Sequence, residues 1–283
     1  PGAEGGGIRG HFDLMRGLRL PEREEPWVKA EPGASWLQLD DHLRTRGWGL
    51  AVYPTSDPRV TVGGWLTQDG LGVGSFEYGW LSENVLSASV VLPGGERREV
   101  PGEHLRSFVG PERGGAVVVE AKLRTRRADA DVPFGATFGS AEQLVGAVVD
   151  AAEARLPLWH LAFLNPRMAR ARGLAEDYTL FGAYPGGRAA EAEADLRGVL
   201  ESHRGHALPA AEAHRAWGER FFPVAPSHPT PSSTRELVHL SGLPGALVGA
   251  ESRPPRAAVQ GTIARSGEVL VLSIDAREED RVQ

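Results

Sequence analysis

The stretch from Gly63 to Gly79 contains the residue types that point most directly to chemistry. Five glycines fall within its first twelve residues, between β-branched and other apolar side chains. Glycine lowers the stability of helices and strands, so this density needs a reason. The usual reason is a backbone with positive φ, or one that lies close to a ligand with its N–H groups exposed. Ligands that carry phosphate are the commonest partners of such a backbone.

Donor groups for a phosphate are present here, although lysine is almost absent from the chain. Backbone N–H groups at Gly63, Gly64 and Thr67 could bind a pyrophosphate. The hydroxyl groups of Ser56, Thr61 and Thr67 could add donors without charge. The pattern is not Gly-x-Gly-x-x-Gly between a strand and a helix, so a Rossmann-type nicotinamide site is a poor fit. Tight turns of a sheet without any ligand remain the alternative.

The hydrophobic pattern around the glycine run predicts an α+β fold. Residues 26–32 alternate as a strand, and a helix follows from the N-cap Ser35 to Gly47. Further strands are predicted at 85–92, 96–100, 116–126, 159–165, 179–184, 237–240, 257–263 and 268–274, and further helices at 140–154 and 189–203. Composition shifts near 128–138, which predicts one domain over 1–130 and a second over 131–283.

Composition excludes several classes of function. The chain has 283 residues and no cysteine, so thiolate catalysis and iron–sulfur ligation are excluded. Its net charge of −6 argues against nucleic acid or an anionic membrane surface as a partner. No apolar run approaches the roughly 20 residues of a membrane span. No signal peptide is visible, so we predict a cytoplasmic protein. The histidines lack metal-ligand spacing, and no metal site is expected.

Motifs around the glycine run follow one another in a definite order. They are Tyr53-Pro54-Thr55-Ser56-Asp57-Pro58, Thr61-Val62-Gly63-Gly64, Gly70-Leu71-Gly72, Tyr78-Gly79 and Asn84-Val85, the last of which opens a long strand. A second block runs from Leu105 to Ala121. This order resembles flavoproteins of the vanillyl-alcohol oxidase type, whose PCMH-type FAD domain also occurs in glycolate oxidase and D-lactate dehydrogenase subunits. The second block departs from the family pattern at Pro111 and Arg113.

The resemblance implies FAD as the cofactor. The residues implied to bind it are Gly5, Gly6, Gly7, Pro54, Ser56, Thr61, Val62, Gly63, Gly64, Thr67, Gly70, Gly72, Tyr78, Gly79, Val117 and Val118. Val117 and Val118 would offer main-chain groups to the adenine. Gly5 to Gly7 are either the tail of a pyrophosphate loop or an unrelated linker. The N-terminal part of the family's FAD domain is expected to be incomplete in this chain.

The second half of the chain more loosely resembles a shortened form of the cap domain that covers the flavin. Residues 159–166 are similar to the first strand of that cap, and Trp217-Gly218-Glu219-Arg220 is similar to its Trp-x-x-Arg element. Arg220 could bind a substrate carboxylate, and Glu77 could lie near the flavin ring. A solvated arginine and simple loop packing are the alternatives. His160 is expected to be a hydrogen-bonded structural histidine. The family's His-x-His-x-Gly-Asp-Gly-Asn motif is missing, so the catalytic base is unknown.

The resemblance implies a FAD-dependent oxidoreductase, or the FAD-binding subunit of one. It would oxidise a small 2-hydroxy acid such as glycolate or lactate. Its partners would be the small-molecule substrate and, in the second case, other subunits of an oxidase complex. The alternative is a non-catalytic accessory subunit of the same fold that binds FAD weakly and associates with a catalytic partner. Fold alone does not decide between these functions.

Overall fold

A computed structural model describes residues 11–22, 24–56, 59–109, 115–128, 130–223, 233–252 and 257–275. Two large antiparallel sheets dominate these residues, and helices pack against each of them. The mixture of helix and sheet confirms the α+β class that the sequence predicts.

The first sheet and its helices lie between residues 18 and 127. The strands of this part are β1 (Leu18–Arg19), β2 (Trp27–Ala30), β3 (Trp48–Leu50), β4 (Tyr53–Pro54), β5 (Gly72–Val73), β6 (Val85–Val91), β7 (Arg97–Pro101) and β8 (Val117–Arg127). Its helices are α1 (Trp36–Arg44), α2 (Val62–Gln68) and α3 (Ser75–Tyr78), with 3-10 turns at Leu81–Asn84 and Gly102–Ser107. The sheet order is β1-β2-β8-β6-β7, and β3 also pairs with β8. Strands β4 and β5 form a separate pair.

Helix α1 begins where the sequence predicts. The Ser35 hydroxyl accepts the Gln38 N–H, and the Gln38 side chain accepts the Ser35 N–H in return. This reciprocal cap bonds two amides that a helix start leaves without partners. Gly47 follows the helix with φ +74°, which glycine adopts without strain. Leu39 and Leu43 are fully buried against the sheet.

The glycine run is more regular than a turn-rich loop. Residues 62–68 form α2, and the Thr61 hydroxyl caps it by accepting the Gly64 N–H at 3.2 Å. Within the run, positive φ is confined to Asp69 and to the later glycines Gly70, Gly74 and Gly79. The early glycines therefore need another explanation than backbone conformation.

The outer face of the first sheet is polar and carries both lysines of the chain. Lys29 and Lys122 stand directly opposite each other across β2 and β8. The Nζ of Lys29 lies 2.7 Å from an oxygen of Glu120, whereas the Lys122 ammonium lies 4.3 Å from the centre of the Trp27 ring. Separate partners thus stabilise two like charges that would otherwise repel across the strands.

The second sheet contains seven strands between residues 131 and 275. They are β9 (Asp131–Phe138), β10 (His160–Leu164), β11 (Tyr178–Pro185), β12 (His206–Ala207), β13 (Ser233–His239), β14 (Ala257–Ile263) and β15 (Glu268–Asp275). The helices are α4 (Ala141–Glu153), α5 (Pro166–Ala171), α6 (Ala189–Ser202), α7 (Ala210–Gly218) and α8 (Leu243–Ser252), with 3-10 turns at Gly186–Arg188 and Leu240–Gly242. The sheet order is β12-β9-β11-β10-β14-β15-β13.

The two faces of the second sheet are covered by different helices. Helices α4, α6 and α8 share one core with Leu161 and Phe163 of β10. Helices α5 and α7 cover the other face, where Ala162 packs in one cluster with Ala216 of α7. Because side chains alternate along a strand, His160 lies on the α7 face together with Ala162. Through His160, this face also contacts Gly74 of the first part of the chain.

Candidate functional site

The two parts of the chain meet in an aromatic cluster. We define this cluster as Tyr53, Trp159, His160, Trp217, Arg220 and Phe221. The ring centre of Tyr53 lies 6.0 Å from that of Trp159 and 6.1 Å from that of Phe221. The ring centre of Trp217 lies 5.9 Å from that of Trp159. The cluster therefore joins β4 to the start of β10 and to the end of α7.

Arg220 connects the aromatic rings of this cluster. Its Nε donates to the Tyr53 hydroxyl at 3.1 Å, and one Nη donates to the Trp217 carbonyl at 3.0 Å. The guanidinium carbon lies 4.6 Å and 4.5 Å from the ring centres of Trp217 and Phe221. Burial raises the pKa of Tyr53 and Arg220 partly opposes this rise, so the phenol is protonated at neutral pH. A guanidinium held in this way suits a carboxylate ligand.

The loop that carries Arg220 is attached to both parts of the chain. The Phe222 N–H donates to the Thr55 carbonyl at 2.6 Å. From the second sheet, Gln260 Nε2 donates to the Arg220 carbonyl at 3.2 Å. The guanidinium of Arg172 in turn donates to Gln260 Oε1 at 3.1 Å. These bonds fix the main chain at Arg220 and therefore the position from which its side chain extends.

His160 is fully buried beside Trp217, and its ring lies 5.8 Å from the indole in an edge-on arrangement. The Gly74 N–H donates to His160 Nδ1 at 3.4 Å. Because Nδ1 accepts, Nε2 must carry the proton of the neutral ring. That Nε2 has no hydrogen-bond partner among the described residues. Burial, followed by the charge of Arg220, lowers the pKa of His160 to about 3, so the ring is neutral at physiological pH.

Trp159 fixes the second sheet to the first part of the chain. Its Nε1 donates to the Ala51 carbonyl at 3.0 Å. The Arg126 guanidinium lies 3.6 Å from the centre of the Trp159 ring, and Asp131 holds it with oxygens at 2.8 Å and 3.0 Å. Gly74 passes close by with φ +95°, and an added Cβ there would lie 2.0 Å from the Ala51 carbonyl oxygen. Glycine is therefore required at this position by both conformation and space.

The structure brings some of the predicted FAD-binding residues together and separates others. Pro54 pairs with Gly72, Ser56 follows β4, and Gly70 precedes β5. Val62, Gly63, Gly64 and Thr67 lie in α2 after the N-cap Thr61, Tyr78 and Gly79 lie at the end of α3, and Val117 and Val118 begin β8. Gly5, Gly6 and Gly7 lie outside the described residues.

Two amides expected to bind a pyrophosphate already have acceptors within the protein. The Gly63 N–H donates to the Pro32 carbonyl at 2.9 Å. The Gly64 N–H donates to the Thr61 hydroxyl oxygen at 3.2 Å. Since each amide has one hydrogen to give, neither is a free donor for a ligand in this structure.

The space beside each glycine shows where a cofactor fits. An added Cβ at Gly63 would lie 2.6 Å from the Pro32 side chain, and one at Gly72 would lie 2.1 Å from a carbonyl oxygen, so packing explains both. An added Cβ at Gly64 would approach a hydroxyl oxygen at 3.1 Å, and one at Gly70 would approach an indole nitrogen at 3.7 Å, with no further described atom within 4 Å. The backbone at Gly64 and Gly70 thus leaves room for a ligand, which fits a bound cofactor.

The two predicted substrate residues have different partners. Glu77 Oε1 accepts from the Arg188 guanidinium at 2.8 Å, whereas Arg220 bonds to Tyr53. The other carboxylate oxygen of Glu77 is buried without a partner in the described part of the chain. Burial, and then the neighbouring Glu77 charge, raise the pKa of Tyr78. Glu77 therefore belongs to a separate ionic contact between α3 and the start of α6.

The residues that the structure describes contain no group of three or more His, Asp or Glu residues that could hold a metal ion. None of their helices is both long and apolar enough to cross a membrane.

The comparison with known families agrees with this geometry. Residues 7–101 match the family described as FAD binding domain. The matched residues thus belong to a FAD-binding domain, and FAD is the cofactor, as the motif order predicts. This match ends before β8, so it does not test the adenine contacts predicted at Val117 and Val118.

Several curated relatives are similar over parts of this chain. The mitochondrial D-lactate dehydrogenase (cytochrome) of Arabidopsis thaliana is 30% identical over 131 residues, which cover 43% of this chain and 23% of that protein. The D-2-hydroxyglutarate dehydrogenase of Escherichia coli is 38% identical over 73 residues, 26% of this chain and 7% of that protein. The Delta(24)-sterol reductase homolog of Caenorhabditis elegans is 40% identical over 77 residues, 27% of this chain and 14% of that protein. The matches therefore span less than a quarter of these relatives.

Solved structures show the same fold over nearly the whole chain. One crystal structure of alkyldihydroxyacetonephosphate synthase superposes with a TM-score of 0.71 at 16% identity, covering 92% of this chain and 60% of that one. A second crystal form gives a TM-score of 0.71 at 15% identity. The shared architecture confirms the α+β fold that the sequence predicts.

The sequence indicates Arg220 but not the residues that surround it. Tyr53 and Trp159 were not expected to meet, because their contact depends on how the two parts pack. A signal was available in the adjacent pair Trp159 and His160 within a strong strand pattern. Large polar aromatic residues in a buried strand need partners, and here those partners come from the other part of the chain.

Proposed function

We propose that this chain is the FAD-binding and substrate-binding part of an oxidoreductase that acts on a small 2-hydroxy acid. The observation that carries the proposal is Arg220, a guanidinium held among aromatic rings where a FAD-binding domain meets a second sheet. The names of two relatives, D-lactate and D-2-hydroxyglutarate dehydrogenase, support this substrate class. Glycolate is a further candidate. We also propose a division into a FAD domain over 1–130 and a cap over 131–283.

The chain's own residues would bind and orient the substrate. FAD, when bound, supplies an acceptor for the hydride that leaves the carbinol carbon. Arg220 would bind the carboxylate, because its planar fork of N–H groups matches two carboxylate oxygens. The Tyr53 hydroxyl accepts from Arg220 and keeps its own proton for a substrate oxygen. Tyr53 is 6% exposed and Trp159 is fully buried, so the walls of the site exclude water.

The residues proposed to bind FAD are those that the motif order assigns, with one change. Gly64 and Gly70 would allow close approach of the cofactor to the backbone, and the Thr61 and Ser56 hydroxyls would donate to it. The internally bonded amides of Gly63 and Gly64 are removed from the set of donors. In this arrangement the hydroxyl groups supply hydrogen bonds that the backbone amides of a glycine loop usually supply.

The first experiment measures FAD binding. The purified chain is tested for the visible absorption of flavin and for a rise in unfolding temperature when FAD is added, because a ligand of the folded state must stabilise it. The proposal would be overturned if the protein is colourless and its unfolding temperature does not rise when FAD is added.

The second experiment measures substrate specificity. The FAD-loaded protein is mixed anaerobically with D-lactate, D-2-hydroxyglutarate and glycolate, and flavin bleaching is recorded. Arg220→Gln should weaken substrate binding at least tenfold, which corresponds to roughly 1.4 kcal/mol, without loss of FAD. The control Arg98→Gln changes a guanidinium that pairs with Glu96 on the surface and should have no effect. Equal bleaching by both variants would contradict the role of Arg220.

A non-catalytic accessory subunit remains the second candidate. The internal hydrogen bonds at Gly63 and Gly64 favour it, because they leave fewer donors for the pyrophosphate. This function predicts weak FAD binding and a stable complex with a catalytic partner. Bleaching of bound flavin by a hydroxy acid in the isolated chain would exclude it.

A further inference from the structure

Two buried polar atoms on the α7 face of the second sheet have no hydrogen-bond partner within the described residues. They are Nε2 of His160 on β10 and Oγ1 of Thr262 on β14. Both residues are 0% exposed. A buried polar group without a partner costs about 1–3 kcal/mol, so two of them side by side need an explanation.

These two residues are neighbours on one face of the sheet. Ala162 of β10 pairs directly with Thr262 of β14 in antiparallel register. Residues paired in this way share a face, and His160 shares it too because it lies two positions before Ala162. His160 and Thr262 are therefore diagonal neighbours, a relation that places their backbones roughly 7–8 Å apart and their Cβ atoms somewhat closer. Side chains at this spacing are within reach of a single small ligand.

The indole of Trp217 packs against both His160 and Arg220. Its ring centre is 5.8 Å from that of His160 and 4.6 Å from the Arg220 guanidinium. Trp217 is half-buried in the last turn of α7. The loop after it is fixed separately, since Gln260 bonds to the Arg220 carbonyl. The main chain at Arg220 is therefore held independently of the Trp217 indole.

His160, Thr262 and Arg220 can each donate a hydrogen bond. His160 presents Nε2–H because Gly74 occupies Nδ1, Thr262 has a hydroxyl hydrogen, and Arg220 carries a permanent positive charge. A carboxylate accepts only and has about four lone-pair positions. It would satisfy both unpartnered atoms and balance the guanidinium charge in one step.

We propose that His160 Nε2, Thr262 Oγ1 and Arg220 together bind the carboxylate of the substrate, and that Trp217 covers this site until its indole turns away. The inference rests on the proposed function and deepens it, because it names the carboxylate-binding residues of the second sheet. His160 acts as a donor in this site and not as a base.

The test uses oxalate, a dicarboxylate without a carbinol hydrogen, and measures its binding to the purified full chain by calorimetry. His160→Asn keeps an acceptor for the Gly74 N–H through Oδ1 but removes the Nε2 donor. Thr262→Val removes the hydroxyl without changing the shape. Each variant should weaken oxalate binding roughly tenfold, the usual effect of losing a hydrogen bond to a charged group.

The matched control is Thr125→Val. The Thr125 hydroxyl is also buried without a partner in the described chain, but it lies on β8 of the first sheet. The Thr125→Val substitution should leave oxalate binding unchanged. The inference is overturned if Thr262→Val and Thr125→Val bind oxalate equally, or if the wild-type chain does not bind it.

The role of Trp217 is tested separately. Trp217→Ala should speed oxalate association at least severalfold, because the site no longer needs to open. An unchanged association rate would remove the covering role. These readouts do not depend on turnover. A chain that fails to oxidise any hydroxy acid but shows the predicted oxalate pattern would refute the proposed function and leave this binding site standing.

Discussion

At the scale of single residues, His160 and Trp159 show how one strand end serves two purposes. Trp159 donates its only side-chain N–H to the Ala51 carbonyl and so joins the two parts of the chain. His160, the next residue, accepts from Gly74 with one nitrogen and leaves the other without a partner. The Trp159 side chain therefore stabilises the fold, whereas the His160 side chain retains a donor that a ligand can use.

His160 makes stability depend on pH. Its folded pKa of about 3 lies below the ordinary value of 6.5, because burial disfavours the charged ring. The contribution of the neutral His160 ring to the free energy of unfolding is complete above pH 6.5. It is lost as the pH falls from 6.5 towards 3. We expect this residue to remove up to roughly 1.4 kcal/mol of unfolding free energy per pH unit in that window.

Urea unfolding of the wild type and of His160→Asn between pH 7 and pH 4.5 (about two units below the ordinary pKa) checks this expectation. The asparagine does not titrate, so the stability difference between the two proteins should change with pH. Parallel pH profiles would show that His160 is not the group responsible.

Trp159→Phe should destabilise the protein by about 1–3 kcal/mol, because the buried Ala51 carbonyl loses its donor. Chemical denaturation measures this loss. Trp27→Phe is the control, since the Trp27 Nε1 donates to Glu25 at the exposed surface. It should cost no more than about 0.5 kcal/mol. Similar losses in the two variants would argue against the Trp159 bond as a major contact.

At the scale of elements, the glycine run consists of a helix and two short segments with different needs. Gly63 and Gly72 are small because Pro32 and a carbonyl oxygen press against them. Gly74 also needs its positive φ. Gly64 has neither constraint, since α2 would accept a larger residue there. Composition alone could not separate these cases, because the crowding comes from distant segments.

Gly74→Ala and Gly64→Ala should therefore behave differently. An alanine at 74 collides with the Ala51 carbonyl and is strained by φ +95°, so the variant should lose more than about 2 kcal/mol. An alanine at 64 should change stability by less than about 1 kcal/mol but weaken FAD binding, because its methyl enters the space proposed for the cofactor. Thermal unfolding with and without FAD measures both effects. If Gly64→Ala binds FAD normally, the cofactor does not lie beside α2 as proposed.

Long alternating segments could be predicted from the sequence, and short or unusual ones could not. Strands β6, β10, β14 and β15 lie within the predicted ranges or within one residue of them, because their apolar alternation is clear. Strand β9 was not predicted, although it pairs with β11 along its whole length. Pro133 and Gly135 inside β9 hid it, since both are unusual in strands. Helix α7 was missed because alanine and charged residues give it a weak apolar pattern.

The candidate site could be predicted only in part for a similar reason. Arg220 stands in a recognisable Trp-x-x-Arg pattern, so the sequence pointed to it. The relation of His160 to Thr262 depends on the pairing of β10 with β14, which are far apart in the chain. No local pattern contains that register. The FAD domain was recognisable because its motifs are consecutive.

At the scale of the whole molecule, Asp131 links the two sheets through charge. It begins β9 of the second sheet, and its carboxylate binds Arg126 at the end of β8 in the first. The Arg126 side chain is 4% exposed, so its charge depends on this partner. Arg44 from α1 lies 3.4 Å from the same carboxylate. Three elements from both parts of the chain thus meet at one anion.

Asp131→Asn should lower the unfolding free energy by about 3–5 kcal/mol, because it leaves a buried guanidinium uncompensated. Glu24→Gln breaks the exposed pair with Arg127 and should cost less than about 1 kcal/mol. Scanning calorimetry measures both. Comparable melting temperatures for the two variants would show that the Asp131 contact does not hold the sheets together.

The two lysines give the molecule a chemically distinct side. Both lie on the outer face of the first sheet, while the aromatic cluster packs with the core on the inner face. Reagents that couple to side-chain amines would therefore attach the protein through one patch. Molecules immobilised in this way would be held by the outer face of the first sheet, and the aromatic cluster would lie on the other side of that sheet.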